Sequence, residues 1–458
     1  MRQSEPADPL VAAPEIPEAE VALLRSFLRL CRTTVRYSIV ARTTIYDNAE
    51  YNAVVTMFNL LGCVVPVSLK ASLLDTIAAF GELSPETLGG GGDESDGVRL
   101  AVDEMARRIW GLLEQSQTLP TTNDMDALRQ ARPAGSEHAP LQPERTPQRG
   151  MSIGRNGGNR MLLNRGGIVY ELEEVEAAVE TYPEMRAFVR LISTLIHVSN
   201  SAPALSNLDR DPILYSAPSP SIPADLGESY RVPGISPYIG FVLDSVLLKA
   251  EQRAYQYSSE KWSVYAVSLD VIERCLGTMD LSGMVAAAAE AGSQQQRSSR
   301  TGLGLAHSLR GLVTHPGFEI AIRVLCGSKL LDALLNILNV GVDEVNRATG
   351  DVGECIGQSV LSTLRILLRI LRIQDTLLRT VVPLLMESTD VLGFPLNLPR
   401  SLTTLEQLLL SRRESVVQVV TYVGCVSSAE ICLATIKILH ILSDSAVFNG
   451  IDDRVTRG

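Results

Sequence analysis

Few folds are open to a chain that contains the stretch "YELEEVEAAVETYPEMRAFVRLISTLI", Tyr170 to Ile196. In its first half Leu172, Val175 and Val179 fall on one face of a helix. Glu171, Glu173, Glu174, Glu176 and Glu180 spread over the rest of the cylinder, as on a surface helix with one apolar stripe. Pro183 interrupts the pattern and suits the first turn of a second helix, where a missing N–H has no partner to lose. That second helix is apolar over a wider arc, through Met185, Phe188, Leu191, Ile192, Leu195 and Ile196, so neighbours must enclose it on several sides. The two halves predict a helical hairpin with one exposed and one buried member. Such a unit cannot bury its own apolar surface, and stacking further pairs is the simplest way to do so.

The same signal recurs along the chain. Helical patterning starts at Val21 and runs through "LLRSFLRLCRTTVRYSIV". "YNAVVTMFNLLGCVV" and "PVSLKASLLDTIAAFG" predict a hairpin, with Pro66 opening its second helix and Gly81 capping the end. "GVRLAVDEMARRIWGLLEQ" is a helix carrying Trp110. In "SPYIGFVLDSVLLKAEQRAY" Ser236 is the expected N-cap and Pro237 the first helical residue; in "SSEKWSVYAVSLDVIERCL" Ser258 or Ser259 takes the cap. From Leu303 the helices crowd together, with two long ones expected on either side of Ile373, and "VVQVVTYVG" and "SAEICLATIKILHILS" close the array. The spacing of helix starts is too uneven for a fixed-period repeat, so the expected fold is an all-α, irregular HEAT/armadillo-like α-helical solenoid. Size agrees: a single core gives way beyond about 250–300 residues, and a chain of 458 residues escapes that limit as an array. The aromatic content of 5% argues against an aromatic-rich β-sandwich.

Composition then divides the chain. Residues 1–20, acidic and proline-rich, are an expected disordered N-terminus; 21–117 form the first part of the solenoid. Residues 118–166 are rich in Pro, Gly and Arg and hold too few large apolar residues to offset the entropy of ordering, which predicts a disordered loop. The second part spans 167–444, with mobile loops expected at about 199–233 and 292–301, and 445–458 are a C-terminal tail. Within the first of those loops Ile213, Leu214 and Tyr215 are apolar enough to pack on the surface.

The chain carries no local signature of catalysis. A net charge of -11 disfavours a generic nucleic-acid binder. The cysteines, Cys31, Cys63, Cys275, Cys326, Cys355, Cys425 and Cys432, form no C-x-x-C pair and lie mostly in apolar helical runs, as reduced core thiols do. The opening lacks the apolar stretch of a signal peptide, and "VLSTLRILLRILRI" is broken by Arg365, Arg369 and Arg372, so the expectation is a soluble intracellular chain without a membrane-spanning segment. His138, His197, His307, His315 and His440 never occur in a metal-binding spacing, and "GRNGGN" lacks the strand and helix a phosphate cradle needs. No catalytic, cofactor-binding or metal residues are therefore expected. The carboxylates of 171–180 read as a solvated face. Two arginine rows at helical spacing, Arg25, Arg29, Arg32 and Arg36, then Arg365, Arg369 and Arg372, are able to seat an acidic partner; the plainer reading is that they lie along the apolar stripe or pair with acids on adjoining helices. Phe80-Gly81 is a single pair at a helix end, a cap rather than a transport-receptor docking repeat.

These residues resemble the large inner-ring scaffold nucleoporins, the nucleoporin 192/205 family. The acidic helix, the Tyr-Pro break and the ending Leu-Ile-Ser-Thr-Leu are similar to that family's central block. "PYIGFVLDSVLLKAEQRAYQYSSEKWSVYAVSLDVIERCL" is similar to the next, with Asp244-Ser245-Val246 and Glu260-Lys261-Trp262 as marks. "FNLLGCVVPVSLKASLLDTIAAFG", marked by Pro66, Leu69 and Lys70, resembles an upstream block, and "VVQVVTYVGCVSSAEICLATIKILHILS" is a looser match. Family chains are several times longer, so the resemblance implies a middle portion of one. It further implies an α-solenoid without catalytic activity or cofactor, a structural place in the inner ring of the nuclear pore complex at the nuclear envelope, and contacts with other inner-ring nucleoporins rather than with nucleic acid. It assigns no partner-binding residues. A HEAT-type soluble transport receptor or adaptor is the alternative, and it calls for more regular repeats.

Overall fold

The computed structural model describes residues 16–83, 93–116, 118–119, 167–198, 221–229, 231, 233–281, 309, 311–387, 398–399 and 401–445. The described residues contain helices and turns and no strand.

The chain begins with α1 (Glu18–Tyr37) and α2 (Ile39–Asp47). Glu18 and Glu20 in the first turn of α1 and Arg36 in its last complement the helix dipole. Ser38 divides the two helices: its N–H closes α1 on Thr34 O, and its hydroxyl accepts the N–H of Ala41. Arg42 is wholly buried, because its guanidinium caps the carbonyls left over at the end of α1, Val35 O and Arg36 O, and reaches Glu82 O at 2.7 Å. Next come α3 (Ala53–Leu61), α4 (Val67–Gly81) and α5 (Asp93–Ser116), in which Trp110 packs edge-on against Tyr238 at 5.2 Å.

The second part opens with α6. It runs Gly167–Tyr170, widens into a π-turn at Glu171–Glu176 and ends at Ala177–Val179. Helix α7 (Pro183–Thr194) follows. Helix α8 (Ser236–Gly240) passes into a π-turn at Phe241–Leu247, and α9 (Ser258–Thr278) lies against it. Then come α10 (Pro316–Leu325), α11 (Lys329–Leu338), α12 (Val342–Arg347), α13 (Gly350–Thr376), α14 (Leu405–Ser411), α15 (Arg413–Thr421) and α16 (Ala429–Asp444).

The main helix contacts follow chain order: α1 on α4, α4 on α7, α7 on α9, α9 on α13, α13 on α16. Remaining helices attach to this row, α3 and α5 to α4, α10 to α9, and α11 and α14 to α13. One apolar core runs through the whole stack, from Val21 to Leu442. This is the expected all-α solenoid.

Several local expectations need correction. Gly81 is the last helical residue of α4 rather than a left-handed cap; a Cβ there stands 2.7 Å from Leu195 Cδ2, so glycine lets the end of α4 approach the end of α7. The caps before α8 and α9 are Ile235 and Tyr257, one residue ahead of the expected serines. Helix α13 passes through Ile373 without a break and continues through a π-turn, Leu377–Val381, into Val382–Glu387. That π-turn sits just ahead of Pro383, whose ring and missing N–H cannot join a regular ladder.

The boundaries shift as well. Helix α1 starts inside the segment expected to be disordered, 1–20. Leu119 is buried and Thr118 O accepts the N–H of Ile168 inside 118–166. Within 199–233, residues 221–229 turn back onto the core: Leu226 is buried, and the Ser221 hydroxyl donates to Leu195 O and accepts the N–H of His197. Apart from residues 16–17, 231, 233 and 445, the rest of the expected terminus, loops and tail, including Ile213, Leu214, Tyr215 and all of 292–301, lies outside the described residues.

Candidate protein–protein interfaces

The acidic helix is not the solvated face its sequence suggests. Glu171 and Glu176 are buried, as is Glu184 at the start of α7. Lys70 of α4, itself buried, donates to Glu171 Oε1 at 2.5 Å and ties the first part of the stack to the second. Glu176 caps α7: its Oε1 accepts the N–H of Glu184 at 2.6 Å and its Oε2 that of Met185 at 3.2 Å. Burial nonetheless pushes the Glu176 carboxyl up to about 8, against the pull of those two N–H groups. Burial likewise pushes Glu184 up to about 7, with Lys70 drawing it down and Glu171 raising it further. Glu260 of α9 completes the junction by accepting the N–H of Tyr182 at 2.8 Å. Glu173 stays at the surface and pairs with Lys249 at 2.9 Å. Glu180, a left-handed residue with φ 58°, ends the helix, and its carbonyl accepts the N–H of Gln256. These carboxylates therefore hold helices together.

The arginine rows divide. In the second, Arg365 joins Glu273 of α9 at 3.5 Å and Glu430 of α16 at 2.6 Å, bracing three successive members of the stack. Arg369 is half-buried beside Arg372, and desolvation lowers it to about 10 while Glu273 opposes the fall. In the first row Arg32 pairs with Asp75 and Arg36 with Glu82, each at 3.0 Å. Arg25 and Arg29 are exposed and have no ion-pair partner among the described residues. Across from them, Arg190 of α7 holds the other oxygen of Asp75 at 2.5 Å, a convergence that the arginine spacing of α1 alone does not reveal.

The ends of the stack carry surface the sequence reading did not single out. Helix α1 buries one row, Val21, Leu28 and Val35, and exposes a second, with Leu23 at 70%, Phe27 at 63%, Leu30 at 65% and Tyr37 at 65%. The spacing of that second row is i, i+4, i+7, i+14, an apolar seam of the kind a facing helix covers. It was legible in "LLRSFLRL", where apolar residues surround the helix on both sides of the arginines. At the other end Val417 and Val420 of α15, Val423 and Val426 after it, and Leu433 and Ile436 of α16 are exposed. Exposed apolar residues grouped on neighbouring helices in this way make these end faces candidate interfaces.

Nothing comparable organises reactive groups among the described residues. His197 is buried with Nδ1 on Asp103 and Nε2 on Gly81 O at 2.6 Å, joining α5, the end of α4 and the segment after α7. His315 caps α10 by accepting the N–H of Gly317, and burial lowers it to about 4. His440 is exposed beside Asp444, while His138 and His307 lie outside the described residues. All seven cysteines are free thiols. Among the described residues no group of three or more His, Cys, Asp or Glu is placed to hold a metal, and no helix is long and apolar enough to cross a membrane.

The family model described as "Nuclear pore complex scaffold, nucleoporins 186/192/205" matches residues 3–457. The chain is 28% identical over 325 residues to the Nuclear pore complex protein Nup205 of Homo sapiens, covering 70% of this chain and 12% of the human protein. It is 20% identical over 436 residues to Nucleoporin nup186 of Schizosaccharomyces pombe, covering 95% of this chain and 23% of that protein. With Nucleoporin NUP192 of Chaetomium thermophilum the figures are 22% over 442 residues, 96% and 21%. The chain thus spans less than a quarter of the length of these relatives. A continuous helical stack, matched by that model over nearly all its residues, makes the chain a member of the nucleoporin 186/192/205 family of nuclear pore complex scaffold proteins.

Proposed function

We propose that the chain is a structural segment of the nuclear pore complex, set in the inner ring at the nuclear envelope, where it supports pore assembly and nucleocytoplasmic transport. The observation that carries this reading is the family match over residues 3–457. It works through protein–protein contacts with other inner-ring nucleoporins, without catalysis, cofactor or direct nucleic-acid contact. The physical basis is the stack itself: each helical pair buries apolar surface on the next, so position is transmitted along the array and the surfaces at its ends are available for further helices. The exposed seam of α1 and the valine-rich surface of α15 and α16 are the seats for such stacking. The direct test is retention. The tagged protein, expressed in cells that are then permeabilised and washed free of cytosol, remains at the nuclear rim if it is scaffold. Wash-out with the cytosolic fraction instead supports a soluble HEAT-type transport receptor and overturns the proposal.

A further inference from the structure

Between α1, α4 and α7 lies a cleft of about 190 Å³, below the roughly 300–1,000 Å³ of a typical small-molecule site and suited to single side chains. Arg25 enters it from α1, Arg186 and Arg190 from α7, and Ser68, Ser72 and Asp75 from α4. Arg32 joins through Asp75. Among the described residues two carboxylates lie within contact of these four guanidinium groups. Asp75 is divided between Arg32 and Arg190. Glu260 lies 3.8 Å from Arg186 Nε and is also engaged by the N–H of Tyr182. Arg186 Nε is buried with no hydrogen-bond partner, although Nη1 of the same side chain reaches Ser263 Oγ at 3.3 Å. Asp351 and Glu354 on α13 raise the Cys355 thiol while Arg186 and Arg190 lower it, yet these acids form no ion pair with either arginine. In a chain of net charge -11 the cleft is a local excess of cations. It is screened from the remaining acids beyond about 8–10 Å at physiological salt.

We infer that this cleft seats carboxylate side chains of an acidic segment on a partner protein, bridged between Arg25 of α1 and the arginines of α7. Guanidinium forks match carboxylates in geometry as well as charge. Two helices supply them, so an acidic chain laid across the cleft also links α1 to α7. This names the chemistry of a partner and rests on the scaffold reading only in taking that partner to be another pore protein.

The test is fluorescence anisotropy of a labelled oligoglutamate peptide with the full chain at about 0.15 M ionic strength. Because the chain as a whole repels a polyanion, binding reports a local site. Arg25 is exposed and unpaired, so Arg25→Glu leaves the fold intact and weakens binding by about tenfold or more. Arg413→Glu, which makes the same change of charge on α15, leaves binding within about twofold. Asp75→Asn removes the competing carboxylate and tightens binding. Equal weakening by Arg25→Glu and Arg413→Glu, weaker binding with Asp75→Asn, or no binding by the unmodified chain overturns the proposal. An oligonucleotide of the same charge that binds as tightly overturns the assignment to a polypeptide. Rim retention is read separately, so loss of one result leaves the other standing.

Discussion

Glu184 is a carboxylate with one oxygen, Oε2, buried and without a hydrogen bond, held between Lys70 and Glu171. Glu176, its neighbour, has its oxygens on backbone N–H groups, and both residues have carboxyls raised by burial, to about 7 for Glu184 and about 8 for Glu176. The folded chain therefore binds more protons than the unfolded chain between the unfolded value near 4.5 and these raised values. Stability from this pair is complete below about pH 4.5 and falls as pH rises towards 8. Glu184→Gln keeps the size and removes the charge. It is expected to match the parent near pH 5 and to exceed it by on the order of 2 kcal/mol at pH 8, measured by urea unfolding at both values. An offset that is the same at both pH values excludes Glu184 as the source. The neighbouring ion pair behaves differently, since Lys70 and Glu171 satisfy one another. Lys70→Ala leaves a buried carboxylate alone and should cost about 3–5 kcal/mol, whereas Lys70→Met with Glu171→Leu, an apolar pair of similar volume, should recover most of that loss. Denaturation midpoints of the two variants check this, and equal losses in both reject the account.

At the scale of the helix, the 3.6-residue apolar period located most of the elements, and the prolines located several starts. Pro183 and Pro237 sit in the first turns of α7 and α8, and Pro66 stands just before α4. What the period cannot report is which polar residues lose their water. Glu171 and Glu176 occupy the polar side of α6, and only the arrival of Lys70 from α4 and of the N-terminus of α7 turns that side into an interior. The arginine rows were legible as rows but not as pairs, because Asp75, Glu273 and Glu430 are brought to them by other helices. Ile373 suggested a break for want of any signal that the apolar faces on both sides belong to one cylinder. The π-turn at Phe241–Leu247 left no mark beyond its family resemblance, and it offers a test of how far the element tolerates change. Leu247 is 1% exposed, and Leu247→Pro removes an N–H and forces a ring into the packed turn against α9. The expected cost is about 3 kcal/mol or more. Glu173→Ala with Glu174→Ala removes the pairings of Glu173 with Lys249 and, at 3.8 Å, Arg253, and should change stability by less than about 1 kcal/mol. Thermal melts of the two variants distinguish them, and a mild proline variant contradicts the packing described.

Across the whole molecule, the core row and the exposed row of α1 can be separated by experiment. The core row of α1, Val21, Leu28 and Val35, belongs to the continuous core, whereas Leu23, Phe27 and Leu30 face away from it. Changing the outer row should leave the folded chain nearly as stable, since exposed substitutions usually stay within about 0.5 kcal/mol. The same side chains, if another helix covers them in the pore, contribute on the order of 1–2 kcal/mol each by removal of apolar area from water. Phe27→Ser with Leu30→Ser is thus expected to melt within a few degrees of the parent and yet to be lost from the nuclear rim after washing. Damage to the core row gives the opposite signature, so Leu28→Ser serves as the contrast: it should lower the melting temperature first and lose the rim as a consequence. Should the outer-row variant remain at the rim while Val417→Ser with Val420→Ser at the far end is washed out, assembly runs through α15 and α16 rather than α1. Retention of both surface variants removes the end faces from the scaffold reading altogether, because a stacked array that incorporates without its exposed seams must be held by its flanks.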